Sequence, residues 1–263
     1  MDLKLNGKVA VVTAASRGLG RAVAEAMAKE GVNLAICARK KDLLDETAKL
    51  LRNEYDVEVL PVVCDVSDSI AVDQFKEVVI KQFKTVHILF TNAGGPPSGT
   101  LENFSNEDIK SAINLNLLST VNLVNAFLPN MKKQKWGRIL ASTSSNVKQL
   151  LPQFPLSNIS RNSVVAYIKT LAGEVAPMNI TANILAPGLF LTEPTIRDIE
   201  RSAKHEGVEY SQMLNRVAGR IPVRKVGNPD DYGSLATFLA SELAGYITGE
   251  TILIDGGEYS SVM

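Results

Sequence analysis

The segment VAVVTAASRGLG, residues 9–20, decides the fold. It begins with an apolar run that predicts a β-strand and ends at two glycines, Gly18 and Gly20, where a helix is predicted to start. Glycines at such a turn let the backbone approach a pyrophosphate, and the free N–H groups at the helix N-terminus attract its negative charge. The segment therefore predicts a phosphate-binding turn, with a tight turn that binds no ligand as the alternative.

Apolar runs and segments of helical periodicity alternate from this turn nearly to the end of the chain. Strands that alternate with helices form a parallel sheet, and near-continuous apolar strands are typical of a sheet covered by helices on both faces. We therefore predict one α/β domain over residues 1–263, with a doubly wound, seven-stranded parallel sheet. The predicted strands cover residues 8–13, 33–37, 57–64, 86–91, 138–142, 180–185 and 251–254; the predicted helices cover residues 18–30, 41–54, 70–83, 107–131, 156–176 and 229–240.

One segment, residues 189–226, interrupts this alternation. It is rich in charged residues and lies between a predicted strand and the next predicted helix. Connections of this length inside a compact domain are usually lids or disordered segments. We expect this segment to form a helical lid over the functional site.

The composition excludes several classes of function. Lys and Arg number 28, and Asp and Glu also number 28, so the chain lacks the positive excess of a nucleic-acid binder. The run between Lys110 and Lys132 is uncharged, but its five asparagines are costly in hydrocarbon, which favours a buried helix over a membrane partner. Cys37 and Cys64 provide neither a disulfide framework nor a metal site. Because no signal peptide is recognisable, we expect a cytoplasmic protein. We also expect no bound metal.

Three further motifs lie where strands of the predicted sheet end. Asp65-Val66 follows the third strand, Asn92-Ala93-Gly94 follows the fourth, and Pro187-Gly188 with Thr192 follows the sixth. Together with the glycine turn, this set resembles the short-chain dehydrogenase/reductase family over nearly the whole chain, although Ala14 stands where the family has glycine. The resemblance implies a Rossmann fold and a nicotinamide dinucleotide cofactor. The residues that it places at the cofactor are Thr13, Ser16, Arg17, Gly18, Leu19, Gly20, Arg39, Asp65, Val66, Asn92, Ala93, Gly94, Arg161, Pro187, Gly188 and Thr192.

The residues after the second predicted strand indicate which cofactor is preferred. Dinucleotide folds that select NAD usually carry an acidic residue there, bonded to the ribose hydroxyls. Here Ala38 takes that place and Arg39 follows it, while Arg17 lies in the glycine turn. Because a guanidinium suits a ribose 2′-phosphate, we predict that NADP(H) is preferred over NAD(H). The alternative is that Arg39 and its neighbours are only the solvated start of a helix.

The catalytic positions depart from the family. The resemblance implies an asparagine, a serine, a tyrosine that exchanges the proton, and a lysine four residues after the tyrosine. Asn116 and Ser144 take the first two places, with Asn114 as a competitor for the asparagine, but Ser157 and Arg161 stand where tyrosine and lysine are expected. A serine hydroxyl donates a hydrogen bond but is a far poorer acid than a phenol, and a guanidinium effectively never deprotonates. Ser144, Ser157 and Arg161 can still polarise a carbonyl together, as an oxyanion hole does.

Two functions follow as hypotheses. The first is an NADP(H)-dependent oxidoreductase, resembling 3-oxoacyl-acyl-carrier-protein reductases, that reduces a small-molecule or acyl carbonyl through an atypical site. The second is a non-catalytic NADP(H)-binding protein with a redox-sensing or regulatory role. Tyr210 and His205, in the predicted lid, are alternative proton donors. The resemblance and two long apolar helices, residues 107–131 and 156–176, predict a homotetramer or homodimer.

Overall fold

The protein, described over residues 1–261 by a computed structural model, contains seven strands and nine α-helices within those residues. We number them in chain order. The strands are β1 (Val9–Thr13), β2 (Asn33–Ala38), β3 (Val59–Val63), β4 (Ile88–Thr91), β5 (Gly137–Ser142), β6 (Ile180–Pro187) and β7 (Thr251–Ile254). The helices are α1 (Gly18–Lys29), α2 (Lys41–Glu54), α3 (Ser69–Phe83), α4 (Asn106–Ile113), α5 (Ser119–Gln134), α6 (Pro155–Val175), α7 (Glu193–Glu206), α8 (Tyr210–Ala218) and α9 (Pro229–Leu239).

All seven strands form one parallel sheet with the order β3-β2-β1-β4-β5-β6-β7. The doubly wound, seven-stranded Rossmann fold predicted from the sequence is confirmed. The connection after β1 leads to β2 on one side of β1, whereas the connection after β4 leads to β5 on the opposite side of β4. Because the two connections diverge, a crevice opens beyond the carboxyl ends of β1 and β4. Ligands of open α/β sheets bind in such a crevice, and the predicted site residues follow the six strands β1 to β6.

The core consists of two apolar layers, one on each face of the sheet. Alternate side chains of β1 enter opposite layers: Ala10 and Val12 face α1, α2 and α9, whereas Val9 and Val11 face α3, α5 and α6. This alternation is the period of two expected of a strand. The strand is fully buried on both faces, which is why its sequence is one continuous apolar run.

The helix predicted over residues 107–131 is interrupted. It begins at Asn106 with a capping box between Ser105 and Asp108, changes to a π-helical turn over Asn114–Leu118, and continues as α5. By length and composition the whole segment is apolar enough to cross a membrane, but half of its most apolar window is buried, and α5 packs against β4 and β5. The expectation of a buried core helix is therefore met, and the π-helical turn is the feature that the sequence pattern did not reveal.

The predicted lid contains two helices, α7 and α8. They enclose a small apolar cluster of their own, formed by Ile199, Ala203 and Met213. Gly207 ends α7 with a φ of 66°, a left-handed conformation that favours glycine. The helices lie where the sequence predicted them, and their closure over the site stays a prediction.

Candidate active site

The turn after β1 has the backbone geometry that a phosphate requires. Ala14 and Gly18 have φ angles of 50° and 58°, and a Cβ at Gly20 would overlap the carbonyl oxygen of Ala14. No side chain caps the N-terminus of α1, so its first N–H groups remain available to a ligand. The glycine at position 20 is thus required by a close backbone approach, and Ala14 holds a left-handed conformation that usually belongs to glycine.

Thr13 lies behind this turn and joins two strands. Its hydroxyl donates to the carbonyl oxygen of Asn92 at 2.7 Å and accepts from the backbone N–H of Asn92 at 2.8 Å. Its side chain is completely buried. Thr13 therefore fixes the end of β1 against the end of β4, and through them the two loops that border the crevice.

A cavity of about 230 Å³ opens in front of the turn, at the carboxyl ends of β1 to β4. It unites residues that the sequence assigned to the cofactor but that lie far apart in the chain. Leu43, Cys64 and Leu115 also line it, and sequence motifs alone did not single them out. The predicted cofactor residues in its wall are Ser16, Arg17, Arg39, Asp65, Val66, Ala93 and Gly94.

The charges around this cavity suit a phosphorylated ribose. Arg17, Arg39 and Lys40 face a single acid, Asp65, whose pKa is lowered because the hydroxyl and N–H of Ser67 donate to it. No acidic side chain stands at Ala38, where an NAD ribose would need one. An uncapped helix end, an open cavity and this excess of positive charge together fit a nicotinamide dinucleotide.

The connection after β6 lies beside the glycine turn. A Cβ at Gly18 would contact the Thr192 side chain at 3.6 Å, and Arg17 forms an ion pair of 3.5 Å with Glu193, the first residue of α7. Pro187 is buried at the end of β6. The structure therefore brings this predicted nicotinamide segment next to the predicted pyrophosphate turn, although the two are separated by more than 160 residues.

Asn116, rather than Asn114, lies between the cofactor loop and the catalytic helix. Its amide nitrogen donates to the carbonyl oxygen of Gly94 at 3.2 Å, and its amide oxygen accepts from the Ser160 hydroxyl at 2.8 Å. Asn114 instead donates to the carbonyl oxygen of Ser67. Both asparagines lie in the π-helical turn, which gives them these different directions, and its contacts favour Asn116 as the asparagine of the site.

Arg161 is a buried cation without an acidic partner. Only 8% of the residue is exposed, and its Nη1 donates to the carbonyl oxygens of Thr143 at 2.7 Å and Ser142 at 3.4 Å. Burial lowers the pKa of the Arg161 guanidinium to about 10, which still leaves it charged at neutral pH. Within residues 1–261 no Asp or Glu forms an ion pair with Arg161. Its charge is therefore available to an anion or to an oxygen that becomes negative.

The two serines that the sequence assigned to catalysis differ in how they are held. The Ser144 hydroxyl accepts from the Asn146 N–H at 3.3 Å and directly follows Thr143, whose carbonyl oxygen binds Arg161. Ser157 is 8% exposed, precedes Arg161 by one helical turn, and has no side-chain hydrogen bond in the part of the chain that the structure describes. The Ser157 hydroxyl oxygen is not fully enclosed, so a ligand or water can reach it. The Arg161 guanidinium thus lies at the carboxyl end of β5, beside the residue before Ser144, and Ser157 lies one helical turn before Arg161 on α6.

The nearby phenol does not replace the missing tyrosine. Tyr232 of α9 is completely buried between Phe90 and Phe190, and its hydroxyl donates to Ser142 Oγ at 2.8 Å. Burial raises the pKa of Tyr232 well above its ordinary value, so the group is a weaker acid than a free phenol. In the lid, Tyr210 packs against the apolar cluster of α7 and α8. Sequence periodicity could not reveal Tyr232, because it lies on α9, 90 residues after Ser142 in the chain.

Comparison with known proteins decides the family. Residues 13–258 match the family described as Enoyl-(Acyl carrier protein) reductase, which is nearly the whole chain. The chain belongs to the short-chain dehydrogenase/reductase family. Its relatives include the 3-oxoacyl-(acyl-carrier-protein) reductase FabG of Aquifex aeolicus, 30% identical over 98% of this chain and 100% of that protein.

Two solved structures extend the comparison. L-sorbose reductase from Gluconobacter frateurii, complexed with NADPH and L-sorbose, is 33% identical, with a TM-score of 0.96 and full coverage of both chains. An NAD⁺-bound xylitol dehydrogenase is 26% identical, with a TM-score of 0.87 over 97% of this chain and 100% of that one. This family member therefore shares its architecture with carbonyl-reducing oxidoreductases, and the fold accepts either nicotinamide cofactor.

Proposed function

We propose that this protein is an NADPH-dependent reductase of a carbonyl compound, in which Arg161 stabilises the negative charge that develops on the substrate oxygen. One observation carries the proposal: the Arg161 guanidinium is buried and charged, has no carboxylate partner among the described residues, and lies beside Ser144 and Ser157. A preorganised charge in a poorly hydrated site is the arrangement that stabilises an oxyanion.

The chain's own residues supply polarisation and positioning. The hydroxyls of Ser144 and Ser157 donate hydrogen bonds to the carbonyl oxygen, while Arg161 holds charge near it. Asn116 bonds both to the Gly94 loop and to Ser160 of α6. It thereby holds constant the distance between the wall of the cofactor cavity and the catalytic helix. When bound, NADPH supplies the hydride. No side chain with a pKa near neutrality takes the place of the family's tyrosine, so proton delivery to the oxygen limits the rate.

The preference for NADPH over NADH rests on charge at the cofactor cavity. Arg17 and Arg39 stand in its wall, and Ala38 leaves no acid to bind the ribose hydroxyls of NADH. Charge-assisted hydrogen bonds to a phosphate are among the stronger polar contacts. Fluorescence titration with both cofactors tests this preference, and equal affinities would contradict it.

The reductase proposal is tested by following NADPH oxidation with a panel of small ketones and acyl ketones. The names of the two reductase relatives, FabG and L-sorbose reductase, justify both classes of substrate. We expect slow, saturable oxidation that requires Arg161. If NADPH binds tightly but no carbonyl in the panel is reduced, the reductase proposal fails.

A second function, cofactor binding without catalysis, is favoured by a specific observation. Ser157 and Arg161 replace both the proton donor and the lysine that tunes it in the family pattern, whereas the cofactor cavity keeps its motifs. In that case the protein would report the redox state of the nicotinamide pool to a partner. Tight NADPH binding without turnover, together with a structural or binding difference between the NADPH and NADP⁺ forms, would support it.

We also propose that copies of this chain associate through the long helices, as a tetramer or a dimer. Leu118, at the end of the π-helical turn, and Ile159, on α6, are 44% and 41% exposed. Exposed large apolar side chains on neighbouring helices suit an interface. Light scattering that gives the monomer mass of 28.4 kDa at micromolar concentration would contradict this proposal. The cytoplasmic location stays a prediction.

A further inference from the structure

A second cavity, of about 190 Å³, lies between the catalytic serine and the nicotinamide segment. On one side it is lined by Ser145, the residue after Ser144. On the other side it is lined by Asp255, which lies so close to Gly188 that a Cβ there would be 2.6 Å from the Asp255 Cβ. This position, at the carboxyl ends of β5, β6 and β7, adjoins both the loop that holds Ser144 and the segment predicted to hold the nicotinamide end of a cofactor.

The wall of this cavity is polar and its charge is negative. Besides Leu151 it consists of Ser145, Gln149, Asp255, Glu258 and Tyr259. No Lys, Arg or His of the described residues lines it. The cavity therefore offers hydroxyl, amide and carboxylate groups to a ligand, and it repels carboxylates and phosphates.

Asp255 is held in a fixed orientation. One carboxylate oxygen accepts from the Gly257 N–H at 2.9 Å and the other from the Tyr259 N–H at 2.8 Å. Each carboxylate oxygen can accept two hydrogen bonds, so each retains capacity for a donor from a ligand. A preorganised acceptor of this kind favours ligands that carry hydroxyl groups over apolar ligands, because an apolar ligand would leave it unsatisfied.

We infer that this cavity selects a small, uncharged, polyhydroxylated ketone, with Gln149, Asp255 and Glu258 as the groups that recognise its hydroxyls. The inference rests on the proposed reductase function, because the cavity is assigned to the substrate of that reaction. Its volume lies below the ~300 Å³ at which sites for drug-sized ligands begin, which suits a short-chain substrate better than a long acyl chain.

The test compares three ketones of four carbon atoms: erythrulose, which carries three hydroxyls, butan-2-one, which carries none, and 3-oxobutanoate, which is an anion. Binding is measured by saturation-transfer NMR with NADP⁺ present, which cannot reduce a ketone. We expect erythrulose to bind at least 10-fold more tightly than the other two. Equal or tighter binding of butan-2-one or 3-oxobutanoate would overturn the inference.

Two variants test whether residues of this cavity produce the preference for erythrulose. Gln149→Leu should weaken erythrulose binding about 2- to 10-fold, the range expected for one hydrogen bond, and leave butan-2-one unchanged or tighter. Glu258→Gln should strengthen 3-oxobutanoate binding about 3- to 10-fold by removing a like charge. Glu77→Gln, which removes an exposed carboxylate on α3, is the matched control and should change neither. An unchanged NADPH affinity shows that each variant is folded.

The outcomes separate this inference from the proposed function. Selective erythrulose binding without NADPH-driven reduction of any ketone would support the cavity's role and overturn the reductase proposal. Reduction of butan-2-one or 3-oxobutanoate as efficiently as erythrulose would support the reductase and overturn the selectivity. If Gln149→Leu and Glu258→Gln both behave like Glu77→Gln, the cavity is not the recognition site.

Discussion

The cofactor side of the crevice and its catalytic side have diverged to different extents. Around the 230 Å³ cavity, the glycine turn, the Asn92 loop and the cationic rim keep the pattern of the family, with Ala14 as the visible departure. On α6, both residues that carry the family's proton chemistry are replaced, by Ser157 and Arg161. We therefore expect cofactor binding and proton transfer to be separable in this chain.

The two sides of the crevice have diverged to different extents because one depends on the backbone and the other on a side chain. Pyrophosphate binding uses backbone N–H groups and φ angles, which several small residues can supply. Proton transfer uses one side chain whose pKa must lie near the working pH. We therefore expect replacement of the tyrosine position on α6 to impair proton transfer more than Ala14 impairs pyrophosphate binding.

The largest effect should come from restoring the missing pair. Ser157→Tyr with Arg161→Lys reinstates a phenol with a neighbouring ammonium, and we expect turnover to rise about 10²- to 10⁴-fold, the usual contribution of general acid catalysis. Steady-state NADPH oxidation measures it. Either single substitution should do little, because the two groups act as a unit. No gain in the double variant, with cofactor affinity intact, would indicate that the site no longer admits a ketone.

Removing the cation alone should lower turnover about 10²- to 10³-fold, the range for the loss of one oxyanion-stabilising group. We expect Arg161→Met to change the free energy of unfolding by less than about 1 kcal/mol, because the desolvation cost of a buried cation without a carboxylate partner offsets its two hydrogen bonds to the carbonyl oxygens of Thr143 and Ser142. Urea denaturation and NADPH oxidation measure the two effects.

Arg138 is the matched control for that variant, since it is equally a buried arginine. It donates to the carbonyl oxygens of Ser241, Gly137 and Asn179 and lies 3.8 Å from Glu242. Arg138→Met should therefore lower the free energy of unfolding by about 1–3 kcal/mol and spare cofactor binding. If Arg161→Met loses stability as much as Arg138→Met does, Arg161 serves the fold and not the reaction.

On the cofactor side, Arg39→Ala should weaken NADPH binding about 10- to 100-fold and leave NADH binding unchanged, since about 1.5–3 kcal/mol is expected for a hydrogen bond to a charged group. Fluorescence titration measures both affinities. Lys41→Ala is the control, because Lys41 pairs with Asp45 and does not line the cavity. An equal loss for NADH would show that Arg39 acts through general charge, as the solvated start of α2.

The smallest effect concerns the departure on the cofactor side. Ala14→Gly should raise the free energy of unfolding by about 0.5–1 kcal/mol, because a residue with φ of 50° is strained unless it is glycine. The neighbouring Ala15→Gly, at a position of ordinary φ, should lower it. Midpoints of urea denaturation measure both, and a loss of stability in Ala14→Gly would show that the Ala14 methyl group packs rather than strains.

The sequence predicted the sheet well because each strand is buried on both faces and is bounded by turn residues. All seven predicted strands overlap the observed ones, and the last, Thr251–Ile254, coincides with its prediction. Local patterns also placed Ser16, Asp65 and Ala93 in one cavity wall, since residues after parallel strands meet at one edge. The sequence left undecided the contacts between residues far apart in the chain and the directions of the side chains in the π-helical turn.

Two examples show why. Tyr232 and Ser142 lie on α9 and β5, 90 residues apart in the chain, so no local period relates them. The choice between Asn114 and Asn116 depended on the π-helical turn, whose hydrogen bonds skip one more residue than a helical period assumes. Long-range approach and a local change of helical pitch are invisible to a search for repeating apolar positions.

That π-helical turn changes the directions in which side chains point around the helix axis along the segment Asn106–Gln134. One additional residue in a turn rotates every later side chain by about 100° around the helix axis. The hydroxyls of Ser119 and Thr120 donate to the carbonyl oxygens of Leu115 and Asn116, groups that the wider turn displaces from the regular ladder. A single helical wheel therefore misrepresents this segment: α4 and α5 need two wheels, offset by one position, and Asn116 lies where one wheel passes into the other.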